Sequence, residues 1–171
     1  MNVYDKDFQD SMVNVEVINM TDLPLPEYAT FWDAGCDVYA RIEGEKLMTF
    51  GPIEYTEDQK GIKLLPGARV LIPTGIKVSI PKGYEIQVRP RSGMALKQGI
   101  TVCNTPGTID ALYTNEVGVI LINLGGKVVT INHGDRIAQL VLNKIEAINW
   151  IPVTEFSRKE DRGGGFGHSG K

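Results

Sequence analysis

The sequence predicts an all-β fold, a jelly-roll-like β-barrel or sandwich with at most one short helix. Period-2 or wholly apolar runs recur along the chain, each bounded by Gly, Pro, Asn or Asp. The 19 glycines and 9 prolines make up about a sixth of the residues, so many turns separate short elements. One segment only, Ser92–Lys97, strings helix formers together, and it is barely two turns long. At 171 residues with 42% hydrophobic and 23% charged side chains, one compact core is expected, and a disordered chain or a coiled coil is excluded.

In chain order, strands are predicted at Val13–Ile18, Cys36–Ile42, Arg69–Ile72, Ile76–Ile80, Tyr84–Arg89, Val117–Asn123, Lys127–Ile131 and Arg136–Leu142, with a further candidate at Ile145–Ile151. In Tyr84–Arg91 the alternation sends Tyr84, Ile86 and Val88 to one face and Glu85, Gln87, Arg89 and Arg91 to the other, as in a half-buried strand. Val117–Asn123 is apolar on both faces and is expected at the centre of a sheet. Glu43–Lys63 mixes charges with Gly and Pro and reads as an extended loop or an extra hairpin. Residues 1–157 are thus one domain with that insert, and 158–171 form an arm in which five of the eight residues from Gly163 to Gly170 are glycine.

Charge and cysteine usage narrow the function. Residues 1–60 carry 13 acids against 4 bases, and residues 61–171 carry 8 acids against 14 bases. The later part therefore suits an anion, but its bases are scattered singly without interleaved aromatics, which favours a small polyphosphate over nucleic acid. No run reaches the ~18 apolar residues of a membrane span, and the charged start Met1–Asp7 is unlike a secretory signal, so a cytoplasmic protein without membrane partners is expected. Cys36 and Cys103 read as small buried hydrophobes. His133 and His168 lack neighbours at metal-ligand spacing and read as surface residues.

Five segments carry chemistry. In Asp33–Ala40, Asp37 lies among residues that favour burial; it reads either as a turn cap or as a functional carboxylate. In Arg89–Lys97, Arg91, Ser92 and Gly93 stand where a strand meets a helix, which suits phosphate or an ordinary turn. In Asn104–Gly118, turn signals at Pro106–Gly107 and Thr114–Asn115 make Thr108–Tyr113 part of a hairpin; Asp110 lacks a basic partner and suits a general base on water, with Tyr113 packing on a sugar. Read structurally, the same residues are an Asx turn and a core tyrosine. In Gly134–Leu140, Asp135 and Arg136 read as a structural pair, and strand alternation points Gln139 away from Arg136. In Arg162–Gly170, Arg162 and Phe166 sit among glycines, Gly167 included, as a flexible terminus or as a flap that clamps a phosphate and stacks on a base. No G-x-x-x-x-G-K-[ST] loop is present.

Taken together and in this order, Ala34-Gly-Cys-Asp-Val-Tyr-Ala40, Pro90-Arg-Ser-Gly-Met-Ala-Leu-Lys97, Gly107-Thr-Ile-Asp-Ala-Leu-Tyr113, Gly134-Asp-Arg-Ile-Ala-Gln-Leu140 and Arg162-Gly-Gly-Gly-Phe-Gly167 resemble the five motifs of the homotrimeric dUTPase family, whose opening Leu23–Ala29 also resembles. The resemblance spans most of Leu23–Lys171. It implies a jelly-roll subunit of the β-clip type and a homotrimer with shared active sites, each closed by a flexible C-terminal arm. The implied reaction is hydrolysis of dUTP to dUMP and pyrophosphate with Mg2+. By position, Asp110 would activate the water that attacks the α-phosphorus. Tyr113 would pack under the deoxyribose, and Asn104 with the backbone of Gly107, Thr108, Ile109 and Gly118 would read uracil. Arg91, Ser92 and Gly93 would hold phosphates, with Gln139 and Asp37 ordering water around the phosphates and the metal. Arg162, Phe166 and Gly167 would arrive on the arm.

The chain departs from the family in three places: Asn115 where Gly is frequent, His168 in place of a small hydroxyl residue, and the longer 43–63 segment, which suits a contact with an additional protein partner. Two alternatives stand beside hydrolysis. One is a dUTPase-like protein acting mainly by binding a regulatory partner. The other is dCTP deaminase, which resembles this chain in the Arg-Ser and Ile-Asp segments but uses a glutamate where this sequence has Ile120.

Overall fold

The computed structural model describes residues 6–158, 160 and 163. Among these, twelve strands pair antiparallel in three sheets. The largest sheet runs β1 (Glu16–Asn19), β6 (Arg69–Ser79), β10 (Glu116–Asn123) and β8 (Ile100–Val102), with β3 (Met48–Phe50) on the far half of β6. A second joins β11 (Val129–Asn132), β5 (Gly61–Leu64) and β4 (Ile53–Tyr55). The third, which carries the site, runs β2 (Cys36–Tyr39), β12 (Arg136–Lys144), β7 (Tyr84–Arg89) and β9 (Gly107–Ile109). Their inner faces meet in one core that includes Val38, Ile62, Ile72, Val88, Leu121 and Ile137.

Alternation locates most strands correctly. In β7, Ile86 and Val88 are buried while Arg89 is exposed, and β10 lies inside its sheet as its apolar run requires. Three expectations need correction. Arg69–Ile72 and Ile76–Ile80 are one strand, because Pro73-Thr-Gly75 forms an irregularity rather than a turn. Register moves from Gly118 opposite Pro73 to Glu116 opposite Lys77, and the bulged residues are bonded laterally. Val13–Ile18 is strand only from Glu16, and Ile145–Ile151 is not a strand. Ile148, Trp150 and Ile151 lie exposed, and among the described residues no strand pairs with this segment.

Residues 43–63 contribute β3, β4 and most of β5, so the insert is woven into two sheets and β4–β5 is the hairpin it contains. Two short helices occur where one was expected. α2 (Ser92–Gln98) is the predicted one; α1 (Lys6–Asp10) forms because Phe8 buries itself against Tyr28, Phe31 and Trp32, at ring-centroid distances of 5.6, 6.2 and 5.2 Å. The cysteines are not buried: Cys103 is exposed and Cys36 is half-buried, with burial pushing its thiol pKa up. His133 is half-buried, and its Nδ1 accepts the N–H groups of Ile42 and Glu43 at the root of the insert.

Asn123, fully buried at the end of β10, holds the sheets together. Its amide donates to the carbonyls of Leu64 and Lys127, both at 2.8 Å, and its Oδ1 accepts the Gly125 N–H at 2.9 Å. Asn123→Leu strands all three backbone groups; about 2 kcal/mol or more of stability should go, lowering Tm by about 4–8 °C in calorimetry.

Candidate functional site

The third sheet sets the site. Residues Asp37, Gln139 and Arg89 face one another across β2, β12 and β7. Val38 enters the core, so alternation turns Asp37 outward. There its Oδ1 accepts from Arg91 Nε at 2.9 Å and its Oδ2 from Arg91 Nη2 and Arg136 Nη1, each at 3.2 Å. Asp37 is therefore an ion-paired carboxylate, not a turn cap. Arg91 Nη1 also reaches the Arg136 carbonyl at 3.3 Å. This fork-on-carboxylate geometry is the strong form of an ion pair, and it fixes the residue from which α2 starts.

The expected Asp135–Arg136 pair is absent among the described ion pairs. Asp135 instead accepts the Asn132 N–H at 2.7 Å, closing the turn, and Arg136 reaches Asp37. A register shift between Arg136 and Ala138 breaks simple alternation and brings Arg136 to the edge where Asp37 and Gln139 lie.

Below this clamp, Arg91, Ser92, Gly93 and Gln139 line one open cleft of about 290 Å³ with Met94, Lys97 and Gln98. Two cations and no carboxylate line it. A Cβ built on Gly93 meets nothing within 4 Å, so this is a free approach to the backbone. The arrangement suits a phosphate group held by N–H and hydroxyl donors.

A second cleft, of about 190 Å³, brings together Asn104, Gly107, Thr108, Ile109, Tyr113 and Gly118, with Val88, Val117 and Ile120 completing an apolar wall. It lies below the ~300–1,000 Å³ of drug-sized pockets. β9 and β10 belong to different sheets, and β8 pairs β10 only over Leu121–Asn123; the Gly118 end of β10 therefore presents backbone outside that ladder. Gly107 is needed because a Cβ there would sit 3.2 Å from the Asn104 amide and 3.3 Å from Val88. Tyr113 donates from its hydroxyl to the Glu116 carbonyl at 2.8 Å, and its N–H closes a turn on the Asp110 carbonyl at 3.0 Å. Asp110 follows β9 directly, is exposed, and has no ion pair among the described residues. No carboxylate lines the cleft; its Ile120 wall offers no group for proton transfer to a base ring.

The two clefts share no lining residue within one chain. Arg162, Phe166 and Gly167 lie outside the described residues. Sequence reasoning missed Arg136 as a partner of Asp37, and nothing local signals a pair 99 residues apart.

Comparison with known proteins places the chain among relatives of one kind. A family model described as dUTPase matches residues 58–170. A protein of Desulfotalea psychrophila named deoxyuridine 5'-triphosphate nucleotidohydrolase is 52% identical over 148 residues, 86% of this chain and 88% of that one. One of the same name from Ehrlichia canis is 45% identical over 96% of this chain and 99% of its own. In fold, the chain is similar to a dUTPase of Staphylococcus bacteriophage 80alpha solved with dUpNHpp, at TM-score 0.73 and 24% identity over 94% of this chain and all of that one. It is also similar to a dUTPase from phage phi11 of S. aureus, described with a structural Mg(II) ion, at TM-score 0.66 and 24% identity over 85% of this chain and all of that one.

Removing the carboxylate between two guanidinium groups tests the clamp. Asp37→Ala should cost about 1–3 kcal/mol in urea unfolding, and Asp37→Asn, which keeps an acceptor, should cost less.

Proposed function

We infer that this chain, which belongs to the dUTPase family, hydrolyses dUTP to dUMP and pyrophosphate as a dUTP diphosphatase. The observation that carries the reading is the pairing of a neutral cleft sized for a nucleoside with a separate cationic cleft suited to phosphate. In the nucleoside cleft, Asn104 and the backbone at Thr108, Ile109 and Gly118 read the edge of uracil, and Tyr113 packs under the deoxyribose where a 2′-hydroxyl would collide. In the other, Arg91, Ser92, Gly93 and Gln139 offset the phosphate charge.

Asp110, exposed beside the nucleoside cleft, orients a water and takes its proton as the oxygen attacks the α-phosphorus. The new bond joins that oxygen to the α-phosphorus; the bond to the bridging oxygen breaks, and pyrophosphate leaves with the electron pair. Limiting dUTP in this way keeps uracil out of DNA and supplies dUMP.

In the homotrimer each complete site is assembled from three chains, with the arm from residue 158 bringing Arg162, Phe166 and Gly167 over it; the separate linings of the two clefts in one chain support such sharing. The exposed apolar run through Ile148, Trp150 and Ile151 leads into that arm and suits a neighbouring subunit.

The described residues hold no group of three His, Cys, Asp or Glu that would bind a metal, and both Asp37 oxygens already accept N–H groups. The described residues thus supply no cage of protein ligands, and Asp37 would reach a metal only through water. Mg2+ would instead come with the substrate phosphates and neutralise their charge.

Pyrophosphate release should be selective for dUTP over dCTP, dTTP and UTP, each with Mg2+; equal release from all four would sink the reading. Asp110→Asn should retain dUTP in equilibrium binding and lose turnover by about 10³-fold. Removal of residues 158–171 should cut kcat by about 10²-fold or more while sedimentation still reports a trimer.

A further inference from the structure

The nucleoside cleft is braced from behind by residues that no motif contains. Glu116 opens β10 directly after the turn that carries Asp110 and Tyr113, which is not the expected hairpin because β9 and β10 pair in different sheets. Its carboxylate is divided between two donors: Oε1 accepts the Gly75 N–H at 2.6 Å, and Oε2 accepts Arg41 Nη2 at 3.1 Å. The next peptide is fixed as well, because the buried Thr74 hydroxyl donates to the Val117 carbonyl at 2.7 Å. Arg41 is fixed in turn: its N–H donates to the Pro73 carbonyl at 2.9 Å, and its Nη2 also reaches Glu45 at 3.2 Å. Both members of the Arg41–Glu116 pair are about three-quarters buried, so water screens the bond only partly.

The brace coincides with the irregularity in β6. Between the register points Gly118–Pro73 and Glu116–Lys77, β6 has more residues than β10, and Gly75 turns at φ 77° where a Cβ would run into Thr21. That pinch gives Glu116 a backbone N–H to hold. The carbonyl of the same Glu116 accepts the Tyr113 hydroxyl. The position of the tyrosine ring is thus set by a backbone atom whose own residue is clamped by Arg41 and Gly75.

We propose that Arg41 and Glu116 are positioning residues for the sugar end of the nucleoside cleft, holding Tyr113 where it excludes a 2′-hydroxyl. This rests on the reading of that cleft as the deoxyuridine site. A clamp on the tyrosine acts on fit of the sugar and leaves the proton acceptor Asp110 in place. Its loss therefore falls on KM and on the deoxyribose–ribose preference rather than on kcat.

The test is steady-state pyrophosphate release from dUTP and from UTP by the full chain with Mg2+, for the wild type and for Arg41→Met, Arg41→Lys, Glu116→Gln and Glu45→Gln. Arg41→Met and Glu116→Gln should raise the KM for dUTP about tenfold, keep kcat within about threefold, and lower the dUTP:UTP ratio of kcat/KM about tenfold. Arg41→Lys, which restores the charge, should recover most of the ratio, and Glu45→Gln, which cuts Arg41 from the insert only, should leave it within about twofold. Should Arg41→Met fail to fold, the near-isosteric Glu116→Gln decides. Folded variants as selective as the wild type would overturn the inference alone, as would an equal fall in kcat on both nucleotides or an equal loss of selectivity in Glu45→Gln. A wild type without preference for dUTP would overturn the functional reading and this inference with it.

Discussion

The Asp37 carboxylate is the point on which the phosphate half of the site depends. It lies on β2, yet its partners come from the residue that starts α2 and from the first residue of β12. Three segments far apart in sequence are therefore brought to one place by two guanidinium groups competing for one carboxylate. With Asp37 side-chain exposure at 16% and Arg91 at 27%, the pair is too buried to behave like a surface ion pair. Such an arrangement is costly to break, since removal of the anion leaves two cations facing each other. Arg91 consequently serves the phosphate cleft in two ways: it adds positive charge to the lining, and its anchored backbone sets the direction in which Ser92 and Gly93 are presented.

The nucleoside half rests on a different device. There the walls are two strands of different sheets, β9 and the beginning of β10, so no shared ladder fixes their separation. Spacing is instead imposed by the β6 irregularity and its lateral bonds to Glu116 and Val117. An unpaired strand edge is normally a liability; on the proposed function it is where a flat ring with donors and acceptors on its rim completes the backbone pattern. Arg41 Nε is, among the described residues, the one buried side-chain nitrogen or oxygen without a partner. A desolvated donor of that kind costs about 1–3 kcal/mol, and it is borne at the brace behind the cleft.

Local patterning made much of this legible. Alternation in Tyr84–Arg89 gave a strand with the correct ends and faces, and the apolar run of Val117–Asn123 placed β10 inside its sheet. Asn104, Gly107 and Tyr113 were found as one group because they lie within ten residues of one another in sequence. What stayed hidden was non-local. Pro73-Thr-Gly75 carries every local mark of a turn, and lateral bonds with Met20, Arg41, Glu116 and Val117 keep the strand running through it. Arg136 lies beside Asp135, which made a local pair plausible; the bulge at its strand start sends it to a carboxylate 99 residues away. Helix α1 is five residues long, too short for any periodicity, and is held by the aromatic contacts of Phe8 and by Ser11, whose hydroxyl donates to the Phe8 carbonyl.

The division of the site into two clefts follows from the same architecture. β7 feeds both: Val88 lines the nucleoside cleft, and the strand then runs through Arg89 and Pro90 into Arg91 and the phosphate cleft. Arg91 lies past the end of β7, and the two groups of residues line separate clefts of one chain. Neighbouring copies can join them when the nucleoside cleft of one faces the phosphate cleft of the next, a head-to-tail contact that closes into a ring. On the proposed function, the general base at Asp110 and the phosphate donors at Ser92 and Gly93 meet across that contact, and assembly becomes a condition for catalysis.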